Sequence, residues 1–243
     1  MRCEVTEDPE ELARRVAGLV CRAVEAKTGA VLGLATGTTP LGLYAELAAL
    51  ARAGTADLRG VTGFAVDELH GVPRSHPATN SSYFAEHLAG VPLRALHVLD
   101  SESADPETEC AHFRWLIEAA GGINLMVLGI GANGHIAFNE PGARFDARAG
   151  LVALTETSRR VYAPAFGSLE ATPAFGLTLG IADIVSAREI LLLASGVEKA
   201  EIVARALEGP VTEDVPGSIL QKHAGFTVLV DRSAASRLTS VGD

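Results

Sequence analysis

The chain has 243 residues, of which 48% are hydrophobic, and its formal net charge at pH 7 is −10. This length and hydrophobic content are sufficient for one large α/β domain or two small ones. The negative charge argues against nucleic acid and anionic membranes as main partners, because both repel an acidic surface. A small anionic ligand is still compatible, since a local cationic pocket can override the overall charge.

The three cysteines, Cys3, Cys21 and Cys110, show neither CxxC nor zinc-site spacing. We therefore expect no metal site. It also shows no signal peptide and no apolar run of membrane-spanning length. These features predict a cytoplasmic protein with reduced cysteines.

The first half of the chain alternates amphipathic helices with short apolar runs. The predicted elements are, in order, a helix over Thr6–Lys27, a strand over Val31–Ala35, a helix over Leu41–Arg52, a strand over Gly63–Val66, a helix over Ser81–Leu88, a strand over Leu93–Leu99, a helix over Asp105–Ala120 and a strand over Leu125–Ile130.

The second half continues the alternation of strands and helices. The predicted elements are a strand over Leu151–Leu154, an irregular segment over Thr155–Phe166, a strand over Phe175–Leu179, a helical turn over Ile181–Ser186, a strand over Glu189–Ala194, a helix from Ser195 to Leu207, a strand over Phe226–Val230 and a short C-terminal helix. Such alternation is typical of a single open, mainly parallel sheet with helices on both faces, a Rossmann-like α/β fold. No linker interrupts the chain, so residues 1–243 are predicted to form one domain.

A glycine-rich turn follows the apolar run Leu125–Ile130. Its spacing, Gly-x-Gly-x-x-Gly over residues 129–134, matches the dinucleotide fingerprint, but that fingerprint requires a helix to begin at its third glycine. Pro141 and Gly142 would break such a helix within two turns. The turn instead carries Asn133, His135 and Glu140, and it lies at a strand's carboxyl end, where open α/β sheets bind ligands. The sequence therefore predicts an acid–base site, with a structural glycine turn as the alternative.

A second turn has the features of an anion site. Thr36, Gly37, Thr38 and Thr39 join the strand Val31–Ala35 to the next helix, whose free N–H groups and positive dipole end favour anions. The turn lacks the Gly-Lys-Ser/Thr of a P-loop, and an ordinary capped helix start is the alternative. Lys199 lies in the first turn of a later predicted helix. It is either a phosphate contact or a solvated surface lysine.

Two acidic residues, Asp67 and Glu68, follow the strand Gly63–Val66. Carboxylates at such a position are costly to bury and contribute little to packing. Because side chains alternate along an extended segment, we expect one of the two to face a pocket.

Four stretches, in this order, resemble the glucosamine-6-phosphate deaminase family across nearly the whole chain. They are Leu34-Ala-Thr-Gly-Thr-Thr-Pro40, Val66-Asp-Glu-Leu-His-Gly-Val-Pro73 with His76-Pro77, Gly129-Ile-Gly-Ala-Asn-Gly-His-Ile-Ala-Phe-Asn-Glu-Pro141 and Ser218-Ile-Leu-Gln-Lys-His223. The third stretch is the most specific, because Phe-Asn-Glu-Pro continues its glycine turn.

The resemblance implies a substrate, a reaction and roles for individual residues. An aminosugar 6-phosphate binds with its phosphate at the turn 36–39, assisted by Lys199. His135 opens the pyranose ring, since imidazole readily exchanges protons near neutral pH. Glu140 orients the imidazole, and Asp67 moves a proton from C2 to C1. The products are fructose 6-phosphate and ammonia, and no metal or cofactor takes part.

Several residues depart from the family pattern. Asn133 stands where many members carry Asp, which leaves it a supporting role. Asn80 replaces an aromatic residue, and Ala165 occupies the position of the arginine that clamps the substrate phosphate. Arg159 or Arg160 is expected to substitute for that arginine, because a lost bidentate clamp weakens phosphate binding.

Two other functions remain open at this point. A 6-phosphogluconolactonase, which is a hydrolase, shares the glycine turn and the acidic pair. A non-catalytic sugar-phosphate sensor has a similar fold, but the chain lacks room for a DNA-binding domain before Val31. We expect a monomer or a small homo-oligomer.

Overall fold

The computed structural model describes residues 1–239, which form ten strands and eight α-helices. The strands are β1 (Arg2–Thr6), β2 (Val31–Leu34), β3 (Thr62–Ala65), β4 (Asp67–Leu69), β5 (Ala95–His97), β6 (Leu125–Gly129), β7 (Gly150–Ala153), β8 (Phe175–Thr178), β9 (Glu189–Ala194) and β10 (Phe226–Asp231). The α-helices are α1 (Pro9–Glu25), α2 (Thr38–Arg52), α3 (Asn80–His87), α4 (Pro106–Ala119), α5 (Glu156–Phe166), α6 (Ile181–Ile184), α7 (Ala200–Glu208) and α8 (Arg232–Ala235). Two 3-10 helices cover Val197–Lys199 and Pro216–Lys222.

Seven strands form one sheet in the order β1-β10-β9-β6-β2-β3-β5, and every neighbouring pair is parallel. This confirms the predicted mainly parallel α/β fold. The prediction of a single sheet was wrong, because β4, β8 and β7 form a separate antiparallel sheet. One residue, Val66, separates β3 from β4. The sequence pattern therefore gives almost no indication that the chain passes here from one sheet to the other.

Helices cover both faces of the seven-stranded sheet. Successive residues of β6 show why: Leu125 and Val127 pack into a buried cluster that contains residues of α1, α2 and α3. Met126 and Leu128 pack into another cluster with residues of α4 and α7. All four side chains are at most 1% exposed, and full burial of a leucine contributes about 1.5–3 kcal/mol.

The strand order places a crevice at the centre of the sheet. From β2 the chain runs outward to β3 and β5, and it then returns to β6 on the other side of β2. The connections that follow β2 and β6 therefore diverge to opposite sides. A crevice opens between their carboxyl ends, which is where open α/β sheets bind ligands.

Two further segments differ from the sequence-based predictions. Arg2–Thr6 forms an edge strand, paired with β10, that was not predicted. The segment Thr155–Phe166, predicted to be irregular, contains helix α5, for which Thr155 accepts a hydrogen bond from the Ser158 N–H. Pro164 lies near the end of α5, so it removes a single backbone donor without preventing the earlier turns.

No helix within residues 1–239 is both long enough and apolar enough to cross a membrane.

Candidate active site

A cavity of about 320 Å³ lies at the carboxyl ends of β2 and β6. Its volume is at the lower end of the range typical of small-molecule sites. Its lining includes the turn Thr36–Thr39, Asp67, Gly131, His135, Ser158, Tyr162 and Lys199. The cavity thus joins the predicted anion site, the predicted acid–base turn and one member of the acidic pair.

The turn after β6 holds His135 tightly against the backbone. The Gly131 N–H donates a hydrogen bond to the His135 carbonyl at 2.9 Å. A Cβ at residue 131 would overlap the imidazole ring, which explains why glycine is required there.

We expect Gly131→Ala to displace the imidazole and to lower turnover by about a hundredfold or more, because misplacement of about 1 Å has that effect. The variant's steady-state rate on the substrate proposed below is the measurement. Gly150 is the control, because it does not line the cavity and a Cβ there would lie 3.8 Å from the Arg148 carbonyl oxygen, in ordinary van der Waals contact. Equal rates for Gly131→Ala and Gly150→Ala would contradict this account.

Glu140 is paired with His135. Its Oε2 lies 3.5 Å from His135 Nδ1 and accepts a hydrogen bond from Asn133 Nδ2 at 2.8 Å. Burial raises the pKa of Glu140, but hydrogen bonds from His135, Ser158 and Asn133 outweigh this effect and hold it at about 2. Glu140 is therefore a carboxylate at neutral pH. With Nδ1 facing Glu140, Nε2 is the ring nitrogen left to exchange a proton with a ligand.

Asp67 and Glu68 have different environments, as alternation predicted. Asp67 lines the cavity and is 7% exposed, and its Oδ1 accepts a hydrogen bond from Asn80 Nδ2 at 2.7 Å. Glu68 instead accepts backbone hydrogen bonds from Leu69, Asn80 and Ser81 near the N-terminus of α3. Burial, together with the charge of Glu68, raises the pKa of Asp67 to about 7, although Asn80 opposes this shift.

The opposite part of the cavity has a positive character. Helix α2 begins after Gly37, whose φ of 114° suits glycine, and neither a side-chain cap nor an acidic first-turn residue neutralises its N-terminus. Lys199 lines the same cavity, and its Nζ donates a hydrogen bond to the Ile130 carbonyl at 2.8 Å. Burial lowers the pKa of Lys199.

The structure does not bring the two candidate phosphate arginines to the cavity. Arg159 donates hydrogen bonds to the carbonyls of Leu169 and Thr172, at 2.6 and 2.9 Å. Arg160 forms an exposed ion pair with Glu156, one turn earlier on α5. Each guanidinium is thus already engaged elsewhere, whereas Lys199 lines the cavity.

Three polar side chains at the site were not predicted to be functional. Asn80 bonds to Asp67, Ser158 lies 3.4 Å from His135 Nδ1, and Tyr162 lines the cavity. The sequence signalled Asn80 only as a departure from the family pattern. Ser158 and Tyr162 belong to α5, which was not predicted to be a helix.

Within residues 1–239, no group of three or more His, Cys, Asp or Glu side chains is arranged to hold a metal ion.

A family model described as glucosamine-6-phosphate isomerases/6-phosphogluconolactonase matches residues 7–229. The chain belongs to this family. Within it, glucosamine-6-phosphate deaminase 2 of Bacillus subtilis (strain 168) is 42% identical to this chain, and the alignment covers 99% of this chain and 98% of that protein. The deaminase of Geobacillus sp. (strain WCH70) is 41% identical, with 93% and 92% covered.

Two solved structures are similar to this chain over nearly its whole length. A monomeric glucosamine-6-phosphate deaminase matches with a TM-score of 0.94 and 37% identity, over 98% of this chain and 100% of that chain. A 6-phosphogluconolactonase from Shewanella baltica OS155 matches with a TM-score of 0.76 and 20% identity, over 95% and 97%. At that identity the lactonase shows a shared fold alone.

Proposed function

We propose that this protein is a glucosamine-6-phosphate deaminase, which converts glucosamine 6-phosphate and water to fructose 6-phosphate and ammonia. The observation that carries the proposal is that Asp67, His135 and the positive turn 36–39 line one cavity. Relatives at about 40% identity bear this name over nearly the whole chain. The phosphate binds at the N-terminus of α2 and near Lys199, while the sugar ring extends toward Asp67 and His135.

His135 opens the pyranose ring. Its imidazole takes the proton of the C1 hydroxyl and returns one to the ring oxygen, which leaves an aldehyde at C1. Glu140 holds Nδ1 and stabilises the protonated ring, because its carboxylate remains charged at neutral pH. Asn133 in turn binds Glu140 and limits its movement.

Asp67 then transfers a proton between adjacent carbons. It removes the proton from C2 while the substrate's own ammonium group gives a proton to the aldehyde oxygen, so that an enol with a C1–C2 double bond forms. Asp67 then returns its proton to C1, and the nitrogen lone pair completes a protonated imine at C2. Water adds to the imine, and ammonia departs as the ketone forms. A carrier that must both accept and release a proton works best with a pKa near the working pH, and that of Asp67 is about 7.

Lys199→Met is expected to raise the KM for glucosamine 6-phosphate at least tenfold, with a smaller change in kcat. The lysine contacts the phosphate, which does not react, so its loss weakens ground-state and transition-state binding alike. Steady-state kinetics measure the effect, and Lys27→Met, an exposed lysine near the end of α1, is the control. An unchanged KM in Lys199→Met would contradict the phosphate assignment.

The proposal is tested by ammonia release from glucosamine, galactosamine and mannosamine 6-phosphates, with 6-phosphogluconolactone hydrolysis measured in parallel. We expect ammonia from the glucosamine epimer and no enzymatic lactone hydrolysis. Lactone hydrolysis without ammonia would support the lactonase alternative. Binding of sugar phosphates without turnover of any of them would support a sensor.

We further propose that the protein acts as a monomer in the cytoplasm. The match to a monomeric deaminase over the whole of that chain supports the oligomeric state. Light scattering coupled to size-exclusion chromatography measures it, and a mass near 25.2 kDa is expected.

A further inference from the structure

Asn80 is the residue through which the two functional parts of the cavity are joined. It is the first residue of α3 and is 3% exposed. Its Nδ2 donates hydrogen bonds to Oδ1 and to the backbone carbonyl of Asp67, both at 2.7 Å. Its Oδ1 accepts a hydrogen bond from Thr36 Oγ1 at 2.9 Å. One amide thus links the predicted phosphate turn to the carboxylate that carries the proton.

We propose that Asn80 is a positioning residue for this reaction, which fixes the Asp67 carboxylate toward the cavity and ties it to the phosphate-binding turn through Thr36. The proposal rests on the proposed function, because it assigns Asp67 the proton transfer. Asn80 itself touches neither the reacting carbons nor the phosphate.

The direction of the two hydrogen bonds determines what Asn80 does. Because the Asp67 carbonyl oxygen can only accept, the amide nitrogen of Asn80 is the group turned toward Asp67, and its oxygen is left to accept from Thr36. An N–H donor stabilises the charged carboxylate, and this is the form that removes the C2 proton. Burial and the charge of Glu68 act in the opposite direction on the pKa of Asp67. Asn80 therefore holds the pKa of Asp67 below the value that burial and Glu68 alone would give, in addition to holding its rotamer.

A purely structural role would give a different result, because α3 has a separate cap. Thr79 Oγ1 accepts a hydrogen bond from the Ser82 N–H and donates to the backbone carbonyls of Arg74 and His76, and none of these hydrogen bonds reaches Asp67. Asn80→Ala keeps the backbone N–H that binds Glu68. Thr79→Ala is thus a matched control: it damages the same helix start while the pair of Asn80 and Asp67 stays intact.

The experiment is the pH profile of kcat/KM on glucosamine 6-phosphate for the wild type, Asn80→Ala, Asn80→Asp and Thr79→Ala. We expect the wild type to lose activity as the pH falls through about 7. In Asn80→Ala the midpoint of this acidic limb of the profile should shift to higher pH by about one unit, since the loss of a hydrogen bond to a charged group has that effect. Asn80→Asp keeps the shape of the side chain but places a second negative charge beside Asp67, so the midpoint of its acidic limb should shift further to higher pH. Thr79→Ala should keep the wild-type limb with a lower melting temperature.

If the acidic limb of the kcat/KM profile has the same midpoint pH in the wild type and in both Asn80 variants, the proposal is overturned. A second readout does not require turnover: the pH dependence of melting temperature, compared with and without Asp67→Asn in each Asn80 background, reports the titration of Asp67. That titration should shift upward in Asn80→Ala. If the wild type releases no ammonia, the proposed function fails, whereas an unshifted titration overturns the role of Asn80 alone.

Discussion

Asp67→Asn is expected to abolish deamination and, at the same time, to stabilise the folded protein. An amide cannot accept the C2 proton, so the rate should fall by about 10²–10⁴-fold. The hydrogen bond from Asn80 can be kept, because the asparagine oxygen also accepts. The new amide nitrogen then lies in the position of the carboxylate oxygen that Asn80 does not bind.

The gain in stability follows from the pKa of Asp67, which folding raises from 3.8 to about 7. Between these values the folded state binds more protons than the unfolded state, so the contribution of Asp67 to stability is greatest below about pH 4 and is lost as the pH rises through 7. The amide does not titrate and avoids that loss. We expect a gain of the order of 2–4 kcal/mol in the free energy of unfolding above pH 7.

Thermal unfolding of the wild type and of Asp67→Asn across this pH range measures the effect. The melting temperatures should be close near pH 4 and should diverge toward pH 7, by roughly 5–10 °C for a chain of this length. A variant that is less stable than the wild type at pH 8 would contradict the assignment of Asp67 as a buried, destabilising carboxylate.

His135→Gln is expected to abolish both ring opening and deamination. Glutamine retains a polar group but cannot take up a proton at neutral pH, so the loss should also reach about 10²–10⁴-fold. Ring opening alone is visible as exchange between the two anomers of glucosamine 6-phosphate, measured by NMR saturation transfer. The wild type should accelerate this exchange, and His135→Gln should not.

Asp67→Asn is the matched control for this measurement, because it removes the carbon-to-carbon transfer and leaves His135 in place. It should accelerate anomer exchange without releasing ammonia. If Asp67→Asn fails to accelerate the exchange while His135→Gln retains it, the two roles have been assigned the wrong way round.

Sequence patterns predicted those parts of the fold that depend on local periodicity. The helix α1 and the strand β9 both lie within a few residues of their predicted positions, because each has an apolar pattern of the right period. The edge strand β1 is half exposed and has no such pattern. Helix α5 was missed because it contains a proline and shows a single buried side chain.

The site was predictable where a short motif carries both the turn and the functional group. Asp67, the turn 36–39 and the glycine turn that carries His135 each lie within a few residues of the end of a buried strand, so the parallel sheet brings them to one edge. Asn80 reaches Asp67 only through the packing of α3, across 13 residues of sequence. Arg159 and Arg160 were chosen as substitutes for the arginine that the family carries at the position of Ala165. Their contacts with backbone carbonyls and with Glu156 become visible only in three dimensions.

The most direct test is to measure ammonia and fructose 6-phosphate in the same reaction of the wild-type protein with glucosamine 6-phosphate. We expect the two products in equal amounts, and neither product with Asp67→Asn. No ammonia from the wild type, or equal ammonia from the wild type and Asp67→Asn, would contradict the assignment of this cavity as a deaminase active site.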